Sequence, residues 1–431
     1  MAYEYEDIHP RPDQREQLRR QREMAKKRQK LQNLAIALSV TAVALLVLCI
    51  VMLRGCDADP GTSTGVTTLP PVTTTDTVPT TVPEGKTVIH IAAGGDINIT
   101  DAVVSAGEQD GRYDYSGVFM DIAPLFAQAD AAIVNLEGNV VGAPYGTGSA
   151  SAPKELLTAL KDMGVDLIQM ANTYAIKNGI VGLNSTLSQI RQSGMEPVGA
   201  CASQEEFDLT QGFTIKNIQG VRVAFVAFTK GMGGLTLPSG SENRINLLYT
   251  DYATSYQKIN TAGIQAILEA VAAQQPDVTI ALLHWGSEHK SIISANQETI
   301  RDLMIAGGVD AIIGTHSHYV QKVEYDKEAG TVVAYSLGDL IGTADKADTN
   351  YSIVLQLQIT KDHATGETKI TACSYSPVYT LTEGRDGAAM RLLRLESAMA
   401  MYEKNHVDKV SAKAYENMKA ALSKIRSKTG M

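Results

Sequence analysis

DAIIGTHSHYVQ, residues 310–321, begins as an apolar strand and ends as something else. Ala311, Ile312 and Ile313 run into Gly314, and two histidines follow with one residue between them, His316 and His318. On a strand that spacing puts both rings on one face, and in a tight loop they can still converge. Four of the eight histidines of the chain fall between residues 284 and 318.

The same design recurs along the chain. VIHIAAGGD (88–96), AAIVNLEG (131–138), DLIQMANT (166–173), VRVAFVAFT (221–229), VTIALLHWG (278–286) and TVVAYSLGD (331–339) are apolar runs that stop at glycine or polar residues. Helical patterns separate several of them, among them SAPKELLTALKDMG, TAGIQAILEAVAAQ and NQETIRDLMIAGG. Strands alternating with helices predict an α/β fold whose apolar strands are covered on both faces. Asp96, Asn135 with Glu137, Asn172, His284, and His316 with His318 each stand at the C-terminal end of such a strand. Ligand sites of open α/β sheets lie at those ends, so residues 200 apart in sequence can meet along one edge.

One Asp, one Glu, an Asn and three His match the ligand count for two metal ions about 3.5–4 Å apart, an arrangement that clamps a phosphoryl oxygen and activates a water. Taken singly, each residue also has a plainer reading. A strand-end histidine can be satisfied by a carbonyl, Asp96 can cap a turn or helix, and Glu137 can be a solvated turn residue. Metal binding rests on the set. Glu288 is placed to orient a ligand histidine from behind, His289 reads as exposed, and Trp285 as core or pocket wall.

The rest of the chain is organised around a membrane. Asn33 to Leu53 carry no charge, and 21 residues at about 1.5 Å each cross a hydrocarbon core of about 30 Å. Residues 1–53 hold nine Lys/Arg against six Asp/Glu. Of the 38 and 47 in the whole chain, 29 and 41 remain for residues 54–431. The positive-inside rule puts the basic tail (1–32) in the cytoplasm and the acidic remainder outside a single-pass cell-membrane helix (33–53). A cleaved signal peptide would have a shorter apolar run. Residues 54–86 are Thr/Pro-rich and read as an extended linker. An acidic ectodomain excludes nucleic acid, and an anionic ligand would need local help such as a metal. Of the four cysteines only Cys201 and Cys373 lie in the body of the chain, and an extracellular location would allow them to pair. The segment from residue 383 to 431 reads as amphipathic helices that cap the domain or touch a partner.

GGDIN (94–98), NLEG (135–138), MANTYAIKNG (170–179), LLHWGSE (282–288), GTHSHYVQ (314–321) and YSLGD (335–339) occur in the order seen in the CapA family, associated with poly-γ-glutamate capsule synthesis and similar to the calcineurin-like metallophosphoesterases. The resemblance covers residues 87–382. It implies a four-layer α/β/β/α sandwich behind the N-terminal transmembrane helix, and one or two divalent ions (Mn, Fe or Zn). Asp96 resembles the first metal ligand and Glu137 the bridging carboxylate, while His284, His316 and His318 resemble the imidazole ligands. Where the family usually has Asn-Asn-His, this chain has Asn172-Thr173-Tyr174. Tyr174 takes the place of the histidine that serves as proton donor, and Asn172 stands in as a candidate ligand beside Thr173. A phenol with a pKa of about 10 is a poorer acid at neutral pH. The family's YSLGN-like motif reads YSLGD, which puts Asp339 near the site as a candidate acid.

The resemblance implies a membrane-anchored extracytoplasmic protein in synthesis, export or anchoring of an anionic capsule polymer, with metal-dependent hydrolysis of a phosphoester or amide as its chemistry. The alternative is a non-catalytic binding or scaffold subunit of the polymer synthase complex, with the altered 172–174 segment marking lost hydrolysis. A sugar-binding domain whose strand-end residues only cap turns is a third reading.

Overall fold

A computed structural model describes residues 85–382, 390–404 and 410–431. The expected basic tail, transmembrane helix and all but the last two residues of the linker lie outside the described residues, and Lys86, placed in the linker, opens the first strand. No helix among the described residues is long and apolar enough to cross a membrane.

Sixteen strands are found among the described residues: β1 (Lys86–Asn98), β2 (Glu108–Gln109), β3 (Arg112–Tyr113), β4 (Ala131–Glu137), β5 (Leu167–Gln169), β6 (Glu196–Val198), β7 (Phe213–Ile218), β8 (Val221–Thr229), β9 (Val278–His284), β10 (Ala311–Thr315), β11 (Val323–Asp326), β12 (Thr331–Ala334), β13 (Asp339–Ile341), β14 (Tyr351–Asp362), β15 (Thr368–Leu381) and β16 (Arg391–Arg394). The first sheet has the order β16-β15-β14-β1-β4-β5-β6, with β13 also pairing β1. The second has the order β11-β12-β10-β9-β8-β7, and β2 pairs β3 apart from both. Within the first sheet β1, β4, β5 and β6 are parallel, and within the second so are β8, β9, β10 and β12.

Side-chain alternation sorts the layers. On β8, Val221, Val223, Phe225 and Ala227 enter a core shared with the first sheet. Val226 and Phe228 point the other way, onto Ile264 and Leu268 of the helix Thr261–Ala273 and Ile300 and Met304 of the helix Ala295–Ala306. The helices Glu155–Met163 and Gly179–Gln192 bury Leu156, Leu160, Leu183 and Leu187 in the core of the first sheet. The helix Ala295–Ala306 starts at a capping box between Ser294 and Gln297. The architecture is α/β/β/α.

Three elements differ from the expectations. The hairpin β14–β15 was not anticipated; the alternation in IVLQLQI (353–359) is its sequence signature. RLLRLESAMAMYE is not one helix. Arg391–Arg394 pairs with β15 as an edge strand, and the helix begins at Leu395. Cys201 and Cys373 are free thiols. Cys201 packs its sulfur against Thr210 Oγ1 at 3.6 Å, and Cys373 faces Leu357 across the hairpin.

Residues 331–341 tie the two sheets together. The chain runs in the second sheet as β12, crosses, and joins β1 as β13, with Asp339 opposite Asp96. Asp96 N donates to Gly338 O at 3.1 Å, and Leu337 N donates to Gly314 O at 3.1 Å. The crossing is tight enough to demand glycine. A Cβ on Gly95 would sit 1.8 Å from Gly338 O, and one on Gly314 would sit 2.0 Å from Tyr335 O. Trp285, fully buried, stacks on Tyr335 and donates from Nε1 to its carbonyl at 2.9 Å. Gly95→Ala is therefore expected to lower unfolding stability by about 3 kcal/mol, because backbone and not a flexible side chain must move. Gly117→Ala, with nothing within 4 Å, should stay within about 0.5 kcal/mol of the original. Urea midpoints measure both.

Candidate metal centre

Strand direction brings the polar residues together. Asp96 lies near the C-terminal end of β1, Asn135 and Glu137 close β4, and His284 closes β9. His316 and His318 follow β10, and Asp339 opens β13. Asp96, Glu137, His284, His316, His318 and Asp339 are all buried. The loop after β10 holds His316 at φ +88° and His318 at φ +59°. That left-handed backbone is unfavourable for a histidine and persists only where surroundings enforce it. Enforcement comes from Asp96, whose Oδ2 accepts from His316 N at 2.9 Å while its Oδ1 accepts from Asn135 Nδ2 at 2.6 Å.

The donor atoms fall into two sets, Glu137 with His284 and His316, and Asp96 with Glu137 and His318. Within each set the atoms lie within 4.8 Å of one another. Glu137 belongs to both. In the first set His284 Nε2 is 3.2 Å from Glu137 Oε1, 3.1 Å from His316 Nδ1 and 2.9 Å from Thr173 Oγ1, which is itself 3.3 Å from His316 Nδ1. Ligand atoms about 2.1 Å from a common ion are separated by about 3.0 Å in octahedral and about 3.4 Å in tetrahedral geometry. The observed separations match that range. Glu137 Oε2 is buried with no hydrogen-bond partner. The other edge of the His284 ring rests on Thr315 Oγ1 at 3.0 Å, with Asp96 Oδ1 at 3.7 Å. Asn135 Nδ2 also lies 3.4 Å from Nδ1; with the proton on Nδ1 and Thr315 Oγ1 accepting it, the Nε2 lone pair faces the cluster. The residues present fit a divalent cation.

Asn172 does not face the imidazoles. Its Nδ2 donates to Asn135 Oδ1 at 3.1 Å and Leu136 O at 2.7 Å, and its Oδ1 accepts from Tyr174 N at 3.1 Å. The expectation that Asn172 supplies a ligand oxygen is corrected: Asn172 positions Asn135 and the turn, and the neighbouring Thr173 hydroxyl reaches the cluster. Asp339 takes the orienting part expected of Glu288. Its Oδ1 lies 2.7 Å from His318 Nδ1, whereas Glu288 is exposed on a crevice wall. That polar crevice, about 180 Å³, lies beside His318 and Asp339 and is also lined by Tyr174, His289, Lys346 and Thr147. His289 is half-buried, not exposed as expected, because its backbone N donates to Ser317 O at 2.8 Å. A larger cavity of about 420 Å³ beside Tyr115, Phe119 and Met163 touches none of these residues.

Burial governs the charge states. Desolvation, aided by Glu137, pushes Asp96 up to about 7, and desolvation pushes Glu137 up to about 7. Desolvation pulls His284 down to about 4 and His316 well below its ordinary value, so both rings are neutral and ready to ligate at neutral pH. Burial alone would lower His318 as well, but the charge and hydrogen bond of Asp339 override it and raise it to about 10. Without a cation, His318 therefore holds a proton at neutral pH, and Asp96 and Glu137 are partly protonated.

Two outcomes follow from this arrangement. Ions compete with those protons, so affinity for Mn²⁺ or Zn²⁺ should rise as pH goes from 6 to 8, with net proton release on binding. Calorimetry in buffers of different ionisation enthalpy reads both, and an affinity that falls with rising pH contradicts the assignment. Thr173→Val removes the hydroxyl at nearly constant shape and should weaken ion binding about tenfold or more, while Asn172→Ala should cost stability more than ion affinity.

Residues 90–344, more than half of the chain, match the family of bacterial capsule synthesis proteins designated PGA_cap. The PGA biosynthesis protein CapA of Bacillus subtilis (strain 168) is 26% identical over 286 residues, 64% of this chain and 69% of that protein. The capsule biosynthesis protein CapA of Bacillus anthracis is 24% identical over 261 residues, 59% of this chain and 60% of that protein. Among solved structures, the calcineurin-like phosphoesterase YfkN of Bacillus subtilis is similar to 78% of this chain over its whole length, at 16% identity and a TM-score of 0.40. On the extent of the family match, the chain belongs to the bacterial capsule synthesis protein family PGA_cap.

Proposed function

We propose that this chain is an extracytoplasmic capsule-synthesis protein, tethered by residues 33–53, whose metal centre hydrolyses a phosphoester or amide bond in an anionic surface polymer resembling poly-γ-glutamate. The observation that carries the reading is the sharing of Glu137 by two donor sets, with its second oxygen otherwise unpartnered. Glu137, His284, His316 and Thr173 would hold one ion, and Asp96, Glu137 and His318 a second. Mn, Fe or Zn suits such mixed imidazole and carboxylate donors. Bound ions of this kind supply Lewis acidity and a water that ionises near neutral pH.

The protein's own groups prepare the rest. Asp339 fixes the ring of His318, and Asn135 and the His316 amide fix the two oxygens of Asp96. Tyr174, half-buried on the crevice wall, has its phenol raised above the usual range by burial and by Glu137 and Glu288. It keeps its proton at neutral pH and serves as a hydrogen-bond donor to a leaving-group atom more readily than as an acid.

That same tyrosine favours a second reading, a non-catalytic binding or scaffold subunit of the polymer synthase complex. Metal content and turnover separate the two. The full chain, loaded with Mn²⁺ or Zn²⁺, is assayed against a chromogenic phosphodiester and a γ-linked glutamate oligomer. Hydrolysis is expected to fall about 100-fold or more in His316→Ala. Stoichiometric metal without turnover of either substrate, or no bound metal at all, would leave the scaffold.

A further inference from the structure

The crevice beside His318 contains a cation that the metal chemistry does not use. Lys346 Nζ donates to His289 Nε2 at 2.7 Å, and among the described residues no carboxylate pairs with Lys346. An ammonium has three N–H groups and no acceptor, so His289 Nε2 must accept and the ring proton stands on Nδ1. That Nδ1 is buried without a partner. His289 is itself held at φ +55°, and its backbone is tied to the loop that carries His316 and His318. Lysine and imidazole thus form a fixed pair on the wall of the crevice, among the hydroxyl-bearing residues Thr100, Thr147, Thr343 and Thr349 and the carboxylates of Glu288, Asp339 and Asp345.

The wall is braced from far along the chain. Asp348 accepts from Lys424 at 2.6 Å and from Lys428 at 3.1 Å, both on the helix Ala412–Thr429. Lys428 also donates to Tyr351 OH at 2.9 Å and lies 4.9 Å over the ring of Tyr319, next to His318. Asp348 is thereby engaged by the C-terminal helix, and Asp345, on the same crevice wall, is the acidic neighbour left beside Lys346. Lys346 and this brace lie beyond residue 344, where the family match ends.

We propose that Lys346, supported by His289, is a specificity residue that binds a carboxylate carried by the substrate chain next to the bond held at the metal centre. A single ammonium flanked by hydroxyls, with Glu288 and Asp345 on the same lining, suits a monoanion better than a dianionic phosphate, which those carboxylates would repel. The proposal rests on the hydrolase reading for its location but is tested by binding. Full-length protein is titrated with a short γ-linked glutamate oligomer, with the corresponding γ-linked glutamine oligomer, and with inorganic phosphate. Lys346→Met should weaken the glutamate oligomer about tenfold and leave the glutamine oligomer, phosphate and bound-metal content unchanged. Lys346→Arg should recover the affinity to within about threefold. Unchanged binding of the glutamate oligomer in Lys346→Met, equal loss for both oligomers, loss for phosphate alone, or no binding of the glutamate oligomer by the original protein overturns the assignment. Loss of turnover in the original protein with this binding pattern intact would sink the hydrolysis and leave Lys346 where it is placed.

Discussion

The structure depends on one close approach of backbones. Where residues 335–341 cross from the second sheet to the first, Gly95 meets Gly338 and Gly314 meets Tyr335 at separations that exclude any side chain. The contact sets the register between the two sheets, because β12 is already paired with β10 and β13 with β1. With that register fixed, the C-terminal ends of β1, β4, β9 and β10 share one edge. Asp96 stands opposite Asp339 on one side and Asn135 on the other. A slip of one residue at the crossing would turn Asp96 to the opposite face and dismantle the site.

The site makes sense as an electrostatic unit. Three carboxylates and three imidazoles are buried in one cluster, an arrangement that would be costly as free charges. The protein lowers that cost by raising Asp96 and Glu137 toward their neutral forms, by pairing His318 with Asp339, and by the donors Asn135 Nδ2 and His316 N on Asp96. Glu137 alone keeps an unpartnered buried oxygen. A cation that displaces the protons relieves the same cost, so ion binding and the stability of this edge are linked.

Around this edge the chain adds its own features. Thr173 and Tyr174 stand where the CapA-like pattern has asparagine and histidine, which shifts one donor from amide to hydroxyl and removes the expected acid. The helix Ala412–Thr429 reaches back through Lys424 and Lys428 to hold the crevice wall. The proposed metal centre near the strand ends and the proposed recognition residue near the C-terminal brace are thus built from separate stretches of the chain.

Much of the centre was legible in the sequence. Asp96, Glu137, His284, His316 and His318 stood out because each is a ligand-type residue ending an apolar strand, and strand periodicity is a local property. The apolar, uncharged stretch 33–53 is likewise read from sequence alone. The hairpin β14–β15 escaped because half of its pattern is polar on one face. What only the tertiary structure decided were pairings between distant residues: the turn to Thr173 rather than Asn172, the hold of Asp339 on His318, the burial of His289, and the free state of Cys201 and Cys373. Periodicity tells which face a side chain takes, but which partner waits there depends on register between strands far apart in the chain. The glycine crossing sets that register, and no local pattern encodes it.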